Sequence, residues 1–158
     1  SVSNPDGATL PANFTGTYNC GTGYSGNFSV AAGASQTISG IPMGNVCSVV
    51  ETPPAPITGF TWGTITYTPS TISISTKGGT FEIVVGNSIM RDLGSLVLAK
   101  NLTGGPAGYN GPFTIHWDCG AFGNGNQSIS VGGSATIPNI PTGTSCTVSE
   151  PALPSLPG

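Results

Sequence analysis

The chain repeats itself without a gap at a spacing of 99 residues, the distance from Cys20 to Cys119. Overlaying 14–59 on 113–158 matches Phe14, Cys20, Gly33, Thr37, Ile38, Ile41, Pro42, Gly44, Cys47, Val49, Glu51 and Gly59 with Phe113, Cys119, Gly132, Thr136, Ile137, Ile140, Pro141, Gly143, Cys146, Val148, Glu150 and Gly158. Whatever this chain folds into must therefore use one small module twice, and strung copies of one unit generally extend a stalk or a display surface. The expected modules are 1–92 and 93–158. The first has no counterpart of the opening strand Ser95 to Lys100, and the second has none of Phe60 to Met90, so the sequence reads as a stretch of a longer array, with a self-contained protein that swaps strands with its neighbours as the alternative.

Within each copy the cysteines fall at the same separation, Cys20 with Cys47 and Cys119 with Cys146. A zinc site would want pairs two to four residues apart with histidine among them, and the single His116 is matched by Thr17 in the first copy. Intramodule disulfides are the better reading, with free buried thiols as the alternative. Persistent disulfides place a protein in an oxidising, extracellular compartment. No cofactor or metal is expected.

Charged residues make up only 6% of the chain, six acids against three bases, which excludes binding of nucleic acid through a basic patch. No apolar run approaches the length of a membrane-spanning helix, and Ser1 to Leu10 has the pattern of neither a signal nor an anchor. The 25 glycines and 14 prolines interrupt nearly every stretch long enough for a helix. Strand alternation recurs instead. Phe113, Ile115, Trp117 and Cys119 share one face, and Phe14, Gly16, Tyr18 and Cys20 repeat it. Further strands are expected over Gln127 to Val131, Ser134 to Ile137, Ser145 to Glu150, Thr61 to Thr68, Thr71 to Thr76 and Thr80 to Ile89. About seven short strands per module, with turns such as Lys77-Gly78-Gly79, describe an all-β protein of tandem immunoglobulin-like β-sandwiches. The joint Arg91-Asp92-Leu93-Gly94 is too short for a flexible tether, so the array is expected to be a semi-rigid rod.

Three polar residue types occupy core-facing positions, where they are costly without a purpose. Lys100 shares a face with Leu96 and Leu98, Glu150 with Cys146 and Val148 (as Glu51 does with Cys47 and Val49), and Asn87 with Phe81, Ile83 and Val85. An inward Lys, Glu and Asn can form a Lys–Asn isopeptide bond: the uncharged amine attacks the carboxamide, the carboxyl relays the proton, and ammonia leaves. The alternative is a Lys reaching solvent at a strand end, a Glu bonded to backbone N–H groups, and an Asn in a turn.

The run Leu96-Val97-Leu98-Ala99-Lys100, then Gly111-Pro112-Phe113-Thr114-Ile115, then Ile140 to Glu150, closed by a strand like Phe81 to Asn87, resembles the prealbumin-like, Cna B-type domains of exported bacterial surface proteins, in particular the disulfide-bearing tandem variety. That resemblance implies a load-bearing module of a surface fibre, filament or adhesin stalk, located outside the cell and not an enzyme. It would make Lys100 and Glu150, and Glu51 and Asn87, members of the self-formed crosslink, and neighbouring copies of the module the natural partners. The competing reading is an extracellular module that binds glycan or ice. Its face would be the outward row Thr64, Thr66 and Thr68 with Ser73 and Ser75, or the aromatics Trp62, Tyr67, Tyr109 and Trp117.

Overall fold

A computed structural model describes residues 1–105 and 107–151. The described residues form thirteen strands and one 3-10 turn, and the chain divides into two compact units, Ser1–Arg91 and Asp92–Gly158.

The first unit holds β1 (Val2–Ser3), β2 (Phe14–Asn19), β3 (Ser25–Val30), β4 (Val46–Glu51), β5 (Phe60–Trp62), β6 (Thr66–Thr68), β7 (Thr71–Ser73) and β8 (Val84–Arg91). One sheet runs β3-β2-β4-β7. The other is centred on β8, which carries β1 in parallel along one edge and β5 and β6 along the other. Side chains of the two sheets meet where the Phe14 and Trp62 rings stand edge to face at 5.9 Å. The second unit holds β9 (Leu93–Ala99), β10 (Phe113–Asp118), β11 (Asn124–Ile129), β12 (Ser134–Pro141) and β13 (Thr147–Ser149). Its sheets are β11-β10-β13 and β12-β9. Leu98 of β9, Ile115 of β10 and Ile129 of β11 pack together as its core, and Cys119, Ile137 and Ile140 form a second cluster beside them.

The hydrophobic alternation read from the sequence sets these faces. Phe113, Ile115 and Cys119 are buried, as are Phe14 and Cys20, while Trp117 and Tyr18 are half-buried. Most expected strands are displaced or divided. The run Thr61 to Thr68 is two strands, because three residues, Gly63 to Ile65, stand opposite only two, Asn87 and Ser88, between the pairs Trp62 with Ile89 and Thr66 with Gly86. One extra residue on one side is a bulge, and it breaks the ladder. The expected strand Thr80 to Ile89 starts later, at Val84, and Ser145 to Glu150 shortens to β13. Val148 is 51% exposed, contrary to its expected place in the core. Its counterpart Val49 is half-buried because it lines a groove with Val85 of β8, and no described strand of the second unit takes the place of β8.

The two copies fill the same space differently. Gly16 of β2 stands opposite Phe28 of β3, where β10 and β11 have Ile115 opposite Gln127. A Cβ on Gly16 would lie 2.2 Å from the Val50 carbonyl oxygen and 2.6 Å from the Phe28 ring, so the aromatic occupies what an isoleucine occupies in the other copy. Gly16→Val is expected to cost about 3 kcal/mol in urea unfolding, the upper end for overpacking, because a backbone oxygen cannot step aside. A cost below about 1 kcal/mol would mean the sheet absorbs the clash.

Candidate functional site

Glu51 ends β4 and Asn87 lies mid-β8, so the two sheets of the first unit bring them face to face. Both are buried, at 4% and 8% exposure, and Asn87 Nδ2 donates to Glu51 Oε2 at 3.1 Å. The Glu51 backbone N–H donates to the Tyr67 hydroxyl at 3.0 Å, which fixes the end of β4 against β6. Glu51 Oε1 is buried and has no hydrogen-bond partner.

The second unit shows the other half of the same arrangement. Lys100 follows β9 immediately, and its Nζ lies 2.7 Å from Glu150 Oε2, with the side chains only 16% and 23% exposed. The ammonium also stands 4.3 Å from the centroid of the Phe113 ring, a cation-π contact that helps hold it in an apolar surround. Here Glu150 Oε1 is the buried oxygen without a partner. Among the described residues the buried side-chain N and O atoms lacking partners are Glu51 Oε1, Glu150 Oε1 and Trp117 Nε1. Buried acceptors are nearly always paired, so two orphaned oxygens at repeat-equivalent positions mark one recurrent site.

Superposed through the repeat, the half-sites are complementary. One has a carboxylate holding a carboxamide and lacks an amine; the other has a carboxylate holding an amine and lacks a carboxamide. The structure therefore brings together Glu51 with Asn87 and Lys100 with Glu150, and neither unit unites all three residue types among its described residues. Replacing Glu51 by Ala leaves Asn87 Nδ2 buried without an acceptor. The expected loss is on the order of 1–3 kcal/mol by chemical denaturation, with Glu51→Gln costing less because it keeps an acceptor oxygen. Equal losses for the two variants would show that the hydrogen bond contributes nothing.

Both expected disulfides are formed, Cys20–Cys47 and Cys119–Cys146, each spanning 27 residues. Each sits just past the last pair of an antiparallel ladder, Asn19 with Ser48 and Asp118 with Thr147, and so clamps two neighbouring strands at their ends.

The other singled-out residues have internal roles or lie apart. His116 Nδ1 is 2.9 Å from Asn126 Oδ1, its cross-strand neighbour. Trp62 Nε1 donates to the Ala55 carbonyl, Trp117 packs on the second unit's core, and Tyr109 stands edge to face with Phe113. Tyr67 was missed as a support for Glu51, although its place between the exposed Thr66 and Thr68 already turned it inward. The outward hydroxyl row is not continuous: Thr66 and Thr68 belong to the sheet of β8, and Ser73 to the sheet of β4.

No helix among the described residues is long and apolar enough to cross a membrane. No curated protein and no solved structure matches the chain. A family model does match, once over residues 1–89 and again over 96–158, and the chain accordingly belongs to the family described as Domain of unknown function (DUF5979).

Proposed function

We propose that this chain is part of a structural repeat from an extracellular bacterial surface fibre, filament or adhesin stalk, built of tandem prealbumin-like, Cna B-type β-sandwiches, and that it works mechanically rather than as an enzyme. The observation that carries this reading is the complementarity of the two half-sites. A whole module would hold an amine, a carboxyl and a carboxamide together in a buried site. The uncharged Lys Nζ attacks the Asn Cγ, the Cγ–Nδ2 bond breaks, the carboxyl passes the amine's proton to the departing nitrogen, and ammonia leaves behind an amide. The Lys follows the module's first strand and the Asn lies on its last, so tension would run through the new bond instead of through the sheets. The disulfides fit an oxidising compartment and hold each unit against unfolding.

The test is the intact mass of a completed module. A mass short by one ammonia, retained under reductant, supports the crosslink and the stalk. A deficit of only the disulfide hydrogens overturns the crosslink. The competing glycan- or ice-binding role loses its main surface with the split hydroxyl row. Neither glycan binding nor thermal hysteresis is expected from the chain.

A further inference from the structure

Asn110 and Gly111 form one of two Asn–Gly steps in the chain, the other being Asn124-Gly125. A glycine after an asparagine exposes the asparagine's side chain to attack by the main chain, because a residue without Cβ leaves its own nitrogen unhindered and its dihedrals free. The two steps stand in opposite surroundings. Asn124 and Gly125 lie in β11, where they pair with Asp118 and Trp117 of β10. A Cβ on Gly125 would lie 3.1 Å from Trp117 Nε1, so that ring covers the glycine. Asn110 is exposed and lies with Gly111 in the connection between β9 and β10, outside any strand. Residues in a ladder react only when the sheet opens, and residues in a loop need no such opening.

The glycine is also required where it stands. Gly111 holds a left-handed φ of 95°, and a Cβ there would lie 2.8 Å from the Phe113 ring. The surroundings make the length of this short link matter. Tyr109 and Phe113 flank the step and meet edge to face at 5.9 Å, and the Asn110 carbonyl accepts the Val131 N–H at 3.0 Å. Phe113 is buried and carries the Lys100 ammonium 4.3 Å from its ring centroid. The repeat puts Pro11 and Ala12 at the corresponding positions of the first copy, which therefore has no such step.

We infer that Asn110 is a site of self-modification, a slow deamidation that marks the second unit and not the first. The Gly111 nitrogen attacks the Asn110 Cγ and gives up its proton, the Cγ–Nδ2 bond breaks, and ammonia leaves behind a cyclic imide. Water then opens the imide at either carbonyl. Opening at Cγ yields an aspartate. Opening at the main-chain carbon yields an isoaspartate, in which the chain runs through Cβ and Cγ and is longer by one carbon. Either product adds a negative charge to a chain whose formal net charge is −3. The isoaspartate also lengthens the link that lets Tyr109 reach Phe113, and so loosens the ring that supports Lys100. None of this depends on the crosslink reading.

The test keeps the oxidised full chain in mildly alkaline buffer beside a synthetic peptide of residues 107–114, which sets the rate of an unrestrained step. Peptide mapping is expected to find aspartate and isoaspartate at position 110, formed at least about tenfold faster than at position 124, with a transient species short by one ammonia. Asn110→Gln should abolish the acidic form and the transient species, and Asn124→Gln should leave both. Retention of the Asn110 amide after the peptide has fully converted, or loss at Asn124 as fast as at Asn110, would overturn the inference. The isoaspartate form, separated by ion exchange, should unfold at lower urea than the Asn110→Asp variant, which carries the charge without the added carbon. Equal midpoints would overturn the claim that the length of the link matters. The imide and a Lys–Asn crosslink share a mass deficit, but the imide vanishes on hydrolysis and in Asn110→Gln, and the crosslink depends on Lys100 and Asn87, so each can fail without the other.

Discussion

A hybrid polypeptide running from Leu93 to Gly158 and continuing directly into Phe60 to Arg91 is expected, once its disulfide is reduced, to weigh one ammonia less than its sequence requires. Gly158 stands where the repeat places Gly59, so the join keeps the natural spacing and supplies the second unit with the strands of the first. Lys100, Glu150 and Asn87 then occupy one module. Lys100 and Glu150 are already in contact at 2.7 Å, and Asn87 already bonds the equivalent carboxylate at 3.1 Å, so no new arrangement has to be found. Effective molarities for reactants held this way reach roughly 10⁵–10⁸ M, enough for amide exchange without activation by a cofactor. Each of Lys100→Ala, Glu150→Ala and Asn87→Ala should restore the full mass, and tandem mass spectrometry should find the peptides of Lys100 and Asn87 joined. If the hybrid folds, as judged by cooperative unfolding, and yet keeps its full mass apart from the disulfide hydrogens, the three residues are structural and the crosslink does not form.

The half-sites were legible because polar residues on apolar faces are conspicuous. Lys100 follows Leu96 and Leu98 at alternate positions, and Glu51 follows Cys47 and Val49 in the same way. The alternation that revealed them depends only on the local chain, and it held for β2 and β10. It failed where a strand is decided by a distant partner. The segments 35–42 and 134–141 have closely similar sequences, with Ile38, Ile41 and Pro42 matching Ile137, Ile140 and Pro141, yet only the second is a strand, because only it has β9 to pair with. Strand propensity expresses packing against neighbours more than any intrinsic preference. The Thr61 to Thr68 run misled for a related reason. Its alternation continues through Gly63 to Ile65, and nothing in the local pattern shows that the facing strand offers two residues to those three. Tyr67 shows the limit for side chains: its inward direction could be read, but not that its hydroxyl would accept the N–H of Glu51.

Removing the Cys20–Cys47 disulfide by paired substitution with alanine is expected to cost about 3 to 4 kcal/mol, from the entropy a loop of this length regains in the unfolded chain. Single domains are stable by only about 5–15 kcal/mol, so this is a large share. The first unit is the more exposed to the loss. Among its described residues five apolar side chains are buried, Ala8, Phe14, Cys20, Cys47 and Ile89, and two of these are the disulfide itself. Urea titration of oxidised and Cys-free chains measures the change, and a difference below about 1 kcal/mol would mean the loop is already constrained when unfolded. The mechanical effect is larger still. The loop closed by the bond contains β3 and the segment 35–42, and a force applied at the ends of the unit passes through the sulfurs and leaves that loop slack. At about 3.3–3.6 Å per extended residue, 27 residues hidden by the bond shorten the extension of the oxidised unit by roughly 90 Å. Single-molecule stretching with and without reductant should show that difference in each unit; equal lengths would show that the bond does not lie in the path of the load. The two clamps are nested, since the crosslink would tie the first strand to the last outside the disulfide loop. In a crosslinked module the disulfide is therefore mechanically silent and serves only against unfolding and proteolysis. The same reduction that lengthens this chain should leave a crosslinked hybrid unchanged under load.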